Sequence, residues 1–262
     1  MSASPKQHAM ALARGIGVLP LFERARYLSA VRRAATGNKA YLAKNPDFAP
    51  PPLWWMHDMY AHASFELYMN TGRDTAAGLA RRIDAHVKLD RPRVADWGCG
   101  LARVIRHLPD RYERRGFDYN PAAIDWCRQN IPGCTFAANS LRPPLPTPPA
   151  SFDALYALSV FTHLSEKGHQ EWFAEIARVL APGGVFLGAF HAAPSDSQLL
   201  AGERARFQAG ELVTRGSVAE GSRTFTAFHP EAYLRRALAP HFEIVEGLSL
   251  FFGQQLLFAR KR

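Results

Sequence analysis

Residues 93–103, Arg-Val-Ala-Asp-Trp-Gly-Cys-Gly-Leu-Ala-Arg, constrain the fold of this 262-residue chain more than any other stretch. A short apolar run ends at Asp96, glycines follow at Gly98 and Gly100, and Val104, Ile105 and Leu108 then recur at a helical spacing. The pattern predicts a strand over 93–97, a glycine turn and a helix over 101–109, an arrangement that brings backbone close to a nucleotide-like ligand. A side chain at either glycine would obstruct that approach. A dinucleotide-binding turn carries Gly or Ala three residues after its second glycine. Arg103 stands there instead, and Asp96 precedes the turn. A carboxylate at that point repels a pyrophosphate and attracts a cationic amino-acid group.

S-adenosylmethionine has such an ammonium, carries a sulfonium and lacks phosphate. Asp118 lies 20 residues beyond Gly98, after a second short apolar segment, where a ribose-binding acid belongs. Read onward, the chain alternates. Strands are expected at 114–118, 134–138, 152–158 and 185–191, with helices at 121–130 and 165–180. A proline-rich loop spans 139–150, the segment 192–224 is less regular, and a helix at 230–239 precedes strands near 242–250 and 254–260. Such alternation argues for a parallel sheet with helices on both faces and a ligand cleft at the carboxyl ends of the strands. Asp96–Gly100, Asp118, Asn139–Ser140, Ser159–His163 and His191 would surround that cleft.

In its ordered pieces the chain resembles a class I S-adenosylmethionine-dependent methyltransferase. The matching segments are Asp96-Trp97-Gly98-Cys99-Gly100-Leu101-Ala102-Arg103, Phe117-Asp118-Tyr119-Asn120, Asn139-Ser140, the run from Ser151 to Leu164, and Arg178-Val179-Leu180-Ala181-Pro182-Gly183-Gly184. The segment Ser159-Val160-Phe161-Thr162-His163-Leu164 is similar to a bacterial subgroup associated with glycan and natural-product pathways. The resemblance covers roughly 75–262. It implies a Rossmann-like, doubly wound α/β sheet of seven mostly parallel strands whose last strand is antiparallel, with an N-terminal helical extension over 1–74. It also implies S-adenosylmethionine as cofactor, with Asp118 on the ribose, Tyr119 against the adenine, Asn139 and Ser140 at the adenine edge and Gly98 and Gly100 along the methionine. Ser159 joins this set at the cleft. Arg103 has two readings, a partner for the cofactor carboxylate or a lock on the turn.

Methyl transfer from a sulfonium needs alignment first, and a base only where the acceptor is a protonated, weak nucleophile. His163 is the first candidate base and His191 the second, each with a structural alternative as a capping or packing imidazole. Trp55 and Tyr60, before the core, are candidate acceptor contacts, as a lid or as its packing face. The acceptor expected is an O or N atom of a small molecule such as a sugar, glycan precursor or natural product. An RNA or protein acceptor and a non-catalytic binding module are the alternatives. Nucleic acid ranks lower because Ser159-Val160-Phe161-Thr162 is not the Asn/Asp-Pro-Pro-aromatic run of exocyclic-amine enzymes. The acids that a metal-dependent catechol type would cluster after the fourth strand are absent, so no metal is expected.

The formal net charge is +9, and it is concentrated. Residues 1–45 hold eight Lys/Arg and one acid, Glu23, hence +7, and the remainder holds 24 basic and 22 acidic residues. This segment, one or two helices over 8–36 broken near Pro20, joins a linker at 45–55 and helical sequence at 56–87 with a break near Thr71-Gly72. Its charge suits an anionic partner, such as a phosphate-bearing or lipid-linked acceptor, or a solvated helix face. No apolar run approaches the ~20 residues of a membrane span. Arg14 interrupts the apolar start, and Cys99, Cys127 and Cys134 form no Cys-x-x-Cys pair, so a reducing, cytoplasmic setting is expected. A homodimer is left open.

Overall fold

The computed structural model describes residues 19–195, 198–215 and 218–262. Its centre is a seven-stranded sheet ordered β3-β2-β1-β4-β5-β9-β8. The strands are β1 (Arg93–Trp97), β2 (Glu113–Asp118), β3 (Cys134–Ala138), β4 (Phe152–Ala157), β5 (Leu180–Phe190), β8 (Phe242–Phe251) and β9 (Gln254–Lys261). β1 to β5 run parallel, whereas β9 is antiparallel to both β5 and β8. The order reverses at β1, between β2 and β4, and a cleft opens at such a point.

Because both sheet faces are covered, the central strands β1 and β4 are buried almost throughout and do not alternate, whereas β2, toward the edge, opens with Glu113-Arg114-Arg115. β4 is buried at every position. Ala95, Trp97, Phe117, Leu155 and Phe186 face one core with α5 (Glu166–Val179) and α7 (Glu231–Leu238). Val94, Ala154, Tyr156 and Leu187 face the other, with α3 (Phe65–His86) and α4 (Pro121–Asn130). Asn120 caps α4 by accepting from Ala122 N and Ala123 N, and Pro121 suits the first helical position. The insertion carries α6 (Ala201–Gln208) and a two-stranded sheet of β6 (Val213–Arg215) and β7 (Thr226–Phe228).

Several expectations are corrected. Residues 101–109 form turns and one 3-10 turn at Ile105–His107, not an α-helix, because Ala102 sits at φ 59 and Pro109 forces Leu108 extended. β5 begins at Leu180 and includes the Pro182-Gly183-Gly184 turn. The N-terminal part makes α1 (Leu19–Lys44), α2 (Leu53–Tyr60) and α3, so helix starts inside the expected linker. From Leu19 onward α1 is unbroken; the expected helical residues 8–18 lie outside the described residues. Pro20 falls in its first turn, where a missing N–H costs nothing. The break between α2 and α3 lies at 61–64, with Ala61 at φ 59, and not at Thr71-Gly72. Gly72 serves packing: a Cβ there would stand 2.0 Å from Arg103 O.

α1 is fixed to the body by Asn38, whose Nδ2 donates to Ala63 O (2.8 Å) and whose Oδ1 accepts from Phe65 N (2.9 Å). Among the described residues no helix is long and apolar enough to cross a membrane.

A pair of fully buried histidines joins α5 to the segment before α7. His169 Nδ1–H donates to Ser165 O (2.6 Å), so its Nε2 accepts from His229 Nε2 at 2.8 Å. Burial pushes His169 down to about 4 and His229 well below its ordinary value. Above pH 6.5 both folded and unfolded chains hold these imidazoles neutral. Between 6.5 and about 4 the unfolded chain takes up protons that the folded one refuses, so stability falls with pH. His62 and His107, also pushed to about 4 by burial, steepen the same slope. Calorimetry should show Tm dropping continuously from pH 6.5 to 4, and a flat Tm across that window would contradict the buried neutral pair.

Candidate active site

The glycine turn after β1 is held by hydrogen bonds from several elements. Phe117 O accepts from Gly98 N (2.8 Å) and Cys99 N (2.9 Å), and Asp118 Oδ2 accepts from Gly100 N (2.8 Å). Tyr60 OH from α2 accepts from Leu101 N (3.0 Å), and Tyr68 OH from α3 donates to Leu101 O (2.5 Å). Gly98 and Gly100 have φ of +81 and +52, the left-handed region that favours glycine. A Cβ on Gly98 would also meet Val160 Cγ2 at 2.3 Å, and one on Gly100 would meet Met59 Sδ and Tyr60 OH at 3.0 Å. The turn is therefore a bare backbone surface under a roof of α2 side chains.

Beside it lies a cavity of about 720 Å³ at the carboxyl ends of β1 to β5. It is lined by Tyr60, Asp96, Gly98, Gly100, Arg103, Asp118, Tyr119, Asn139, Ser140, Ser159, His163 and His191, all of which were expected at one cleft or as contacts to it. Trp55 does not line it. That indole packs with Met56, Phe65, Tyr68, Leu101 and Ala123 in a small core under α2, because consecutive helical residues point about 100° apart.

The residues expected on the cofactor side differ in how far they are satisfied. Asp118 is buried, yet its carboxylate also accepts from Asn120 N (2.9 Å), and burial remains the larger effect, raising its pKa above the ordinary value. Tyr119 is 54% exposed, its hydroxyl tied to Gly221 O at 3.2 Å, so a ring face is open. Asn139 Nδ2 donates to Ser140 O (2.7 Å), while its buried Oδ1 has no partner among the described residues. An orphaned buried acceptor invites a ligand donor. Arg103 Nη1 donates to Thr71 Oγ1 (3.1 Å) and the guanidinium sits 5.2 Å from the Tyr60 ring centre. No carboxylate pairs with it among the described residues, so the reading in which it locks the turn by an acid pair fails. Ser159 reaches the cavity at φ 61, with its hydroxyl donating to Gln254 Oε1 (2.9 Å).

The opposite wall carries imidazoles. His163 closes a 3-10 turn at Phe161–His163 and faces the insertion, where Gly221 N donates to His163 O (2.9 Å). Its Nδ1 stands 2.8 Å from Phe225 O. A carbonyl can only accept, so Nδ1 carries the proton and Nε2 keeps the lone pair. Burial lowers the pKa of His163, and burial followed by the neighbouring His163 lowers that of His191. Both are neutral at pH 7. Arg223, which pairs with Glu23 of α1 and stands 3.7 Å from Asp58 of α2, closes the roof.

Some cavity residues had no sequence signal. Gln254 arrives only because β9 lies beside β5, and Arg223 arrives from an irregular insertion. Behind the cavity wall, Tyr156, whose hydroxyl donates to Asp96 Oδ2 at 2.8 Å, was likewise hidden in a continuous apolar strand. Among the described residues no group of three His, Cys, Asp or Glu side chains is placed to hold a metal.

Residues 94–184 match a family model described as a methyltransferase domain. A fatty-acid O-methyltransferase of Mycolicibacterium smegmatis is 36% identical over 112 residues, which cover 39% of this chain and 38% of that protein. The chain thus matches well under half the length of that relative. Among solved structures, an amino pentose methyltransferase from Micromonospora echinaspora aligns at TM-score 0.54 and 21% identity, covering 73% of this chain and 92% of that one. A protein from Pyrococcus horikoshii aligns at TM-score 0.56 and 18% identity, covering 85% and 99%. Residues 94–184 thus match a methyltransferase domain, and the fold built around them is the one these solved structures share.

The histidine assignment is checkable directly. Nitrogen-15 spectra of the protein at pH 7 should show His163 as the Nδ1–H tautomer, titrating below the ordinary histidine range. A signal from Nε2–H, or a titration above 6.5, would contradict the Phe225 contact as its anchor.

Proposed function

We propose that this chain is a methyltransferase that transfers a methyl group from S-adenosylmethionine to an O or N atom of a small molecule. The observation that carries the reading is the division of one cavity into two chemically distinct walls. The ends of β1 to β3 offer glycine backbone, two buried carboxyls and an orphaned amide oxygen; the ends of β4 and β5 offer neutral imidazoles. The bound cofactor supplies an electrophilic methyl on a sulfonium, whose departing sulfur keeps the bonding pair and becomes a neutral thioether.

The residues present fit that group. Asp118 has a carboxylate for the ribose hydroxyls, Tyr119 an open ring face for the adenine, and Asn139 Oδ1 an unpaired acceptor for its amine. Asp96 faces the ammonium, and the guanidinium of Arg103, paired with no carboxylate among the described residues, suits the cofactor carboxylate. Ser140 and Ser159 complete the rim. Tyr60 supports the turn from above. On the acceptor side His163 holds Nε2 unprotonated, the state a general base requires, and His191 stands beside it. A hydroxyl acceptor would lose its proton to His163 as the new bond to carbon forms; a carboxylate acceptor would need no base.

A small-molecule acceptor is supported by the fatty-acid O-methyltransferase named above and by the amino pentose methyltransferase neighbour. In the cavity itself Leu67, Val160, Leu164 and Phe252 give apolar wall for such a molecule. Three free cysteines fit a reducing, cytoplasmic setting. Asp118→Ala should cost ~1.5–3 kcal/mol of cofactor binding, roughly 10- to 150-fold, in calorimetry with S-adenosylhomocysteine. His163→Ala should lower turnover of a hydroxyl acceptor ~10²–10⁴-fold with cofactor affinity little changed. Unchanged affinity in the first variant removes the ribose assignment, and full activity in the second removes the base.

The basic N-terminal segment supports an anionic acceptor, phosphate-bearing or lipid-linked. On α1, Arg24, Arg32, Arg33, Lys39 and Lys44 are all exposed, while Glu23, the sole acid of α1, is turned to Arg223 and Arg26. Since α1 is pinned by Asn38, deleting it would damage the body, and charge neutralisation is the cleaner test. Replacing Arg32, Arg33 and Lys39 with Gln should weaken use of an anionic acceptor at low salt, with the difference vanishing as ionic strength rises. A salt-independent loss would assign these residues a packing role.

A further inference from the structure

Asp96 ends β1 in register with Gly116 of β2 and Tyr156 of β4. It lines the cavity yet is only 4% exposed. Its Oδ2 accepts from Tyr156 OH at 2.8 Å, and among the described residues no Lys, Arg or His nitrogen lies within ion-pairing distance. The groups facing it are Tyr156 from β4, Asp118 from β2, Arg103 and Cys99 from the turn, Cys127 from α4 and Cys134 from β3. Arg103, the one cation in this set, engages Thr71 and Tyr60 instead. A buried carboxyl with one donor and no counter-charge favours its protonated form. Burial, with the charge of Asp118 acting the same way, pushes Asp96 up to about 7 against the opposing pull of Tyr156 and Arg103. Asp118 differs, because backbone N–H groups of Gly100 and Asn120 solvate it.

We propose that Asp96 releases a proton to solvent when the ammonium of the cofactor enters, and that Tyr156 is the positioning residue that stabilises the carboxylate so formed. The inference rests on the reading of the glycine turn as the seat of the methionine part. The balance is simple: a neutral carboxyl and a cationic ligand become a carboxylate facing an ammonium, plus one proton in solvent. No other bond is made or broken. Binding below neutrality therefore has to remove that proton first, and affinity climbs with pH until the free protein is already ionised.

The test is calorimetry of the full chain with S-adenosylhomocysteine in paired buffers of different ionisation enthalpy, from about pH 5.5 to about pH 9. Close to one proton should leave per ligand at pH 6, falling toward none at pH 8. Affinity should rise up to about tenfold per pH unit at the acid end and level off above about 7. 5′-Methylthioadenosine, which keeps adenine and ribose but lacks the amino acid, should bind with little pH dependence. Asp96→Asn should abolish the proton release with the amino-acid ligand. Tyr156→Phe should retain it but move the levelling point upward by about one to two pH units, a displacement that loss of packing alone would not produce. Binding without proton release anywhere in the range overturns the inference. Equal pH dependence with 5′-methylthioadenosine also overturns it, because the proton would then come from Asp118 or elsewhere near the nucleoside. Failure of S-adenosylhomocysteine to bind at any pH would instead remove the cofactor reading on which it stands.

Discussion

The Gly98–Leu101 turn is the point on which the structure depends. Five backbone groups in this short stretch are bound by β2, α2 and α3 together. Its positive φ values are tolerable only because two glycines supply them, and the approach of α3 is possible only because Gly72 has no side chain. The turn is thus both the proposed cofactor cradle and the joint between the N-terminal helices and the sheet. Those two roles share the same atoms. A substitution that fills the cradle would also disturb the contact with α2 and α3.

Much of this was legible in the sequence, for physical reasons. Strands buried on both faces give short unbroken apolar runs, and Gly, Pro and Asn punctuate them, so β1 to β4 and α4 were placed nearly as found. The expected helix after the turn fails where Ala102 adopts a positive φ, a conformation no propensity rule assigns to alanine. The break expected at Gly72 shows the opposite error: a glycine was read as punctuation when it serves close packing. Of the two readings of Trp55 the packing one holds, because neighbouring helical residues look to different sides.

Site residues divide in the same way. Those carried by strand ends and by the glycine turn, such as Asp96, Asp118 and His163, were readable because the topology of a parallel sheet fixes where strand ends gather. Tyr156, Gln254 and Arg223 were not. Tyr156 meets Asp96 only through the register of β4 on β1, Gln254 through the antiparallel placement of β9, and Arg223 through an insertion without periodic pattern. Sequence spacing says little about contacts that depend on which strand lies beside which.

Arg223 also has a kinetic meaning. One guanidinium serves Glu23 on α1 and Asp58 on α2, so three segments far apart in the chain share a single charge centre above the cavity. Parting any one of them strands a carboxylate or the guanidinium away from its partner. Dissolved ions compete for that shared charge, so salt loosens the tie between the three segments. Entry and exit rates should then depend on salt even for a molecule that bears no charge of its own, while the chemistry below, walled by neutral imidazoles, does not.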